Sequence, residues 1–100
     1  MSGEPIVPED VVVVAVPDCH AFDFYSRTTG RRIGWTGKSQ VAELGVDRTP
    51  EMILGIIADD LPAKALKDVR KEVPGNWIFE DIRMLLDPEH TLFMDTHPKL

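Results

Sequence analysis

A chain of 100 residues that is 43% hydrophobic and carries a formal net charge of −6 has room for one domain with one core, and its composition lies outside that of disordered chains. The negative balance opposes non-specific adhesion to nucleic acid or anionic lipid, no apolar run nears the about 20 residues that cross a bilayer, and Val11 to Val16 is too short for a signal-peptide core. A single cysteine, Cys19, cannot form an internal disulfide, and secreted domains of this size usually carry several, so the cytoplasm is the expected compartment. The charge is unevenly spread: residues 1–19 carry −4, residues 20–40 carry +3, and residues 41–100 carry −5.

Residues 1–10, with two prolines and three acids, read as an arm laid over the surface or free of it. Val11 to Val16 is an unbroken, mostly β-branched run, which suits a strand buried on both faces near the middle of a sheet. Residues 20–27 alternate, with Phe22 and Phe24 on one face and Asp23, Tyr25 and Arg27 on the other. Residues 31–36 alternate again after Gly30. Together they predict a β-hairpin with a glycine-containing loop.

Ser39 predicts the cap of a short helix ending near Leu44, closed by Gly45. Thr49-Pro50-Glu51 is a strong helix start, and Met52, Ile53, Ile56 and Ile57 recur at helical spacing. A second helix follows to about Glu72. Ile78, Phe79, Ile82, Leu85 and Leu86 fit a 3.6-residue period and predict a third, and residues 91–95 read as a last strand. The expected fold is therefore α+β: a mainly antiparallel sheet of about four strands (11–16, 20–27, 31–36, 91–95), with two or three helices (50–59, 62–72, 77–86) packed on one face. Residues 11–95 form the domain and 96–100 a tail.

No catalytic, cofactor or metal motif is legible. Asp18-Cys19-His20 is the most reactive-looking triplet, but consecutive residues of a strand face opposite ways, and a lone thiol is more often a packing residue. Cys19, His20, His90, Asp95 and His97 do not have the spacing of a zinc site. The acid pairs Asp59-Asp60 and Glu80-Asp81 diverge by about 100° on a helix. Gly37-Lys38-Ser39 has Arg32 where a phosphate-binding loop requires its first glycine.

The candidate binding residues are Tyr25, Arg27, Arg31, Arg32 and Trp35, because arginines interleaved with aromatics hold phosphates, acidic partners or stacked bases. The same charges at a hairpin tip also serve solubility and edge protection. The best-fitting function is a small acidic, non-enzymatic module that recognises another macromolecule, as an inhibitor, immunity protein or accessory subunit does. A ligand-binding or enzymatic pocket near Asp18-Cys19-His20 is the alternative, and nucleic-acid binding through the basic hairpin a second. The apolar helices also leave room for a homodimer, and no membrane role is expected.

Overall fold

The computed structural model describes residues 6–16, 19–58 and 64–86, apart from the side chain of Asn76. It holds a four-stranded antiparallel sheet with three α-helices, an α+β arrangement. The strands are β1 (Val11–Val16), β2 (Ala21–Ser26), β3 (Arg32–Gly37) and β4 (Ile78–Phe79), in the order β3-β2-β1-β4. The helices are α1 (Lys38–Glu43), α2 (Pro50–Leu54) and α3 (Leu66–Glu72), with 3-10 turns at Pro8–Asp10, Gly75–Trp77 and Ile82–Leu86.

The valine run lies between two partners, β2 and β4, and Val11 to Ala15 are all buried. Its alternate side chains enter two separate cores. Val11, Val13 and Ala15 pack with Phe22, Phe24, Phe79, Val41 of α1, Ile53 of α2 and the turn residues Ile82 and Leu85. Val12 and Val14 pack with Tyr25 and with Leu66 and Val69 of α3. The helices thus divide between the two faces of the sheet instead of sharing one. A strand with no polar residue on either side demands this, since an open face would leave alternate valines in water.

All three expected helices come out shorter or different; α3, expected from residue 62, starts at Leu66, because Lys64 and Ala65 are extended along β3. α2 begins as its sequence dictates: Thr49 Oγ1 accepts from the Met52 amide at 3.3 Å, and Pro50 takes the first position. It ends at Leu54, not near residue 59, because the chain then turns to pair with the outer edge of β3. Trp35 and Ala58 exchange backbone hydrogen bonds at 2.8 Å in both directions. Gly34 makes this approach possible: a Cβ there would collide with the Ala58 carbonyl and Ile57 Cγ2. Further along the same edge, the Arg32 amide donates to Lys64 O at 3.2 Å and Arg31 pairs with Ala65. Covering an edge strand in this way removes a template for unwanted pairing.

Residues 77–86 do not form the predicted helix. Ile78 and Phe79 are a strand that adds to β1, opposite Val14 and Val13. The 3.6-residue period arises from two other periods joined end to end. Trp77 and Phe79 alternate by two into one core, and Ile82 and Leu85, three apart, enter the same core from a 3-10 turn. The fourth strand of the sheet is therefore β4; the strand expected over 91–95 lies outside the described residues. α1 ends within a residue of its expected end but starts two residues early: its N-cap is Gly37, and Ser39, the expected cap, lies inside the first turn. Gln40 Oε1 accepts from the Gly37 amide at 3.0 Å and from Thr36 Oγ1 at 3.1 Å, and Gly45 closes the helix in the left-handed region at φ 87°. No helix among the described residues is long and apolar enough to cross a membrane.

Candidate functional site

The five residues singled out from the hairpin fall into two groups. Tyr25, Arg32 and Trp35 gather on the α3 side of the sheet. A β-bulge between β2 and β3 brings this about, setting Tyr25 opposite Arg32 and Asp23 opposite Trp35. Without it, Arg32 and Trp35, an odd number of residues apart, would face opposite ways. Arg27 and Arg31 belong to the loop that joins the strands.

Neither Tyr25 nor Arg32 is displayed to solvent. Tyr25 lies under α3, and burial, followed by the Asp23 charge, pushes its phenol up to about 12. The Arg32 side chain is 7% exposed and donates from Nη2 to Asp23 Oδ1 at 2.5 Å, while its Nε is buried without a hydrogen-bond partner. The expected outward ribbon face of Asp23 and Tyr25 is thus closed by a helix, because Val12 and Val14 on that face also need cover. Trp35 is half-buried.

The loop is tied down as firmly. The Asp10 carboxylate accepts from Ser26 Oγ at 2.7 Å, Thr28 N at 2.9 Å and Thr28 Oγ1 at 2.5 Å. The Thr28 hydroxyl first, and Ser26 next, hold this carboxyl below its ordinary value. Arg27 donates from Nη1 to Glu80 Oε1 at 3.0 Å and from Nη2 to the Glu80 carbonyl. Glu80 also receives Arg70 of α3 in a bidentate pair, at 2.5 and 3.1 Å. Arg70 before Arg27 holds the Glu80 carboxyl below the usual range. Three elements distant in sequence, the hairpin loop, α3 and the end of β4, therefore share one carboxylate. Arg31 is exposed and has no ion-pair partner among the described residues.

The remaining candidates do not assemble. Cys19 and His20 are exposed, and no hydrogen bond links their side chains; His20 occupies the left-handed region at φ 49°, its carbonyl accepting from the Lys38 amide at 2.8 Å. Asp18, the pair Asp59-Asp60, and His90, Asp95 and His97 lie outside the described residues. Among those described, no three His, Cys, Asp or Glu side chains group to hold a metal ion. Glu80 and Asp81 diverge: Asp81 turns to Arg83, accepting from its Nη2 at 2.6 Å. Lys38 and Ser39 begin a helix of six residues and form no phosphate loop.

Sequence reasoning missed Arg48, which is 6% exposed. It donates from Nε to Leu85 O and from Nη1 to Gly45 O, both at 2.7 Å, so one guanidinium satisfies carbonyls at the ends of α1 and the Ile82–Leu86 turn. Nothing in the local pattern Asp47-Arg48-Thr49 separates such an inward arginine from a surface one. No family model matches the chain, and neither a curated protein nor a solved structure matches it.

Proposed function

We propose that this protein is a small, non-catalytic recognition module that binds a basic macromolecule through its carboxylate-bearing surface. The observation that supports the reading is a segregation of charge. Of the six arginines in the chain, Arg27, Arg32, Arg48, Arg70 and Arg83 are engaged by carboxylates or backbone carbonyls of the fold itself. Glu9, Glu43, Asp47, Glu51, Asp68 and Glu72 are exposed and make no ion pair among the described residues. Arg31, Lys64, Lys67 and Lys71 are also exposed, but arginines occupied by the fold's own acceptors beside carboxylates left without one favour a partner of opposite charge, and such complementarity raises the association rate. An exposed, unbridged Cys19 supports action in a reducing compartment such as the cytoplasm.

The test is affinity capture from host lysate on the immobilised chain at low and high salt, with a mobility-shift assay on a single-stranded oligonucleotide beside it. Basic proteins released as salt rises are the expected result. Retention that does not change with salt, or an oligonucleotide shifted at micromolar protein, would overturn the reading.

A further inference from the structure

Four large apolar side chains are exposed among the described residues: Ile6, Val7, Val46 and Met52. Exposed apolar residues scattered singly carry no message. Ile6, Val7 and Met52 sit on or beside elements that touch, and Val46 is in the connection that leads into α2. Val46 precedes α2 by a few residues and is 76% exposed; Met52, on α2 itself, is 41% exposed. Ile6 and Val7 lead into the Pro8–Asp10 turn, which lies against α2 and against the Ile82–Leu86 turn.

Between residues 43 and 53 the exposed charged groups have one sign, while Arg83, 69% exposed, stands on the adjoining Ile82–Leu86 turn beside Asp81. Glu43, Asp47 and Glu51 are exposed on the α1–α2 segment, and Glu9 on the neighbouring turn. The cation in the middle of that segment, Arg48, faces inward and is spent on two carbonyls. Arg83, whose charge senses Glu9, is held by Asp81.

An apolar centre with a charged rim is the anatomy of a docking surface. We infer that this end of the molecule, centred on Val46 and Met52, docks a protein segment that presents apolar side chains flanked by lysine or arginine. The inference rests on the recognition-module reading and gives it a location. The rim decides among occupants. A second copy of this chain would bring carboxylates against carboxylates, which argues against a homodimer through this face. A nucleic acid would be repelled outright.

The experiment uses the full chain, labelled with nitrogen-15, and a synthetic amphipathic helix of leucine and lysine as the probe. A leucine–glutamate helix of the same pattern and a single-stranded oligonucleotide serve as comparisons. The expected result is binding of the lysine probe alone, with amide shifts concentrated over residues 43–53 and 6–10. Affinity should fall about tenfold or more in Val46→Asp/Met52→Asp and again in Glu43→Lys/Asp47→Lys/Glu51→Lys, and should be unchanged in Arg31→Ala. All these positions are exposed, and amide dispersion verifies that each variant is folded.

Unchanged affinity in the Val46→Asp/Met52→Asp protein would overturn the inference. So would shifts mapping to Asp68 and Glu72 of α3, although the acidic-module reading would then survive. Binding of the oligonucleotide in place of the lysine probe would remove both.

Discussion

The hairpin end and the α2 end of this molecule exchange the roles their sequences suggest. Residues 25–35 hold three arginines, a tyrosine and a tryptophan, a composition suited to recognition, yet the fold absorbs most of it. Tyr25 lies beneath α3, Arg32 is buried against Asp23, and Arg27 is bound to Glu80. Residues 43–52 look like an ordinary helical connection, yet they present Val46, Met52 and three carboxylates to solvent. Surface charge is what remains after the fold has paired its own groups, and it can differ in sign from the local sequence. Burial without pairing would be far more costly for Arg32, the buried one of the three hairpin arginines, and Asp23 supplies the pairing.

The contrast predicts very different tolerances to the same substitution. Val14→Asp places an unpaired charge between two strands beneath α3. Its cost should reach or exceed the about 5–15 kcal/mol that stabilises a domain of this size, and circular dichroism should show an unfolded chain. Val46→Asp should leave the melting temperature essentially unchanged. A folded Val14→Asp protein would mean that the α3 face is open to water.

Next in size is Ile53→Ala, expected to cost about 2–5 kcal/mol because Ile53 is fully buried where α2 meets the main core. Arg48→Met keeps much of the side-chain volume but withdraws donors from the Gly45 and Leu85 carbonyls. A loss of about 1–3 kcal/mol follows for each carbonyl left dry and unpaired, and chemical denaturation of the two variants would rank them. Val46 and Met52 should remain as exposed as before in Ile53→Ala, so its affinity for the leucine–lysine helix should hold.

Much of the architecture was legible because it rests on local signals. The valine run, Gly30 and the Thr49-Pro50 helix start each state their own structure. What was not legible depends on partners distant in the chain. Nothing within residues 77–86 reveals that Ile78 and Phe79 will add to β1, because alternation by two followed by a spacing of three looks like a helix. The end of α2 at Leu54 is set by the demand of β3 for an edge partner. The bulge that turns Arg32 and Trp35 to one face is a property of two strands together. The candidate site suffered most, since a paired arginine and a free one have the same sequence signature.

The smallest expected effect concerns pH and tests whether the hairpin end is held by its carboxylates. Asp10 and Glu80 both have carboxyls lowered in the folded protein, from ordinary values of 3.8 and 4.5. A lowered carboxyl contributes stability that is fully present above its unfolded value and is lost as pH falls through its folded value. The melting temperature should therefore hold steady from neutrality to about pH 5 and decline below about pH 4. Both groups are open to solvent, which screens their pairs, so the decline they cause should be shallow. Asp10→Asn should make it shallower still. The Thr28 amide, which donates to Asp10 Oδ1 at 2.9 Å, reports on the group directly, and its proton shift should titrate with a midpoint below 3.8. A midpoint at or above that value would mean that Thr28 and Ser26 do not grip the carboxylate in solution. Arg27 would then be the main restraint on the loop, and Arg27→Ala, not Asp10→Asn, would release it.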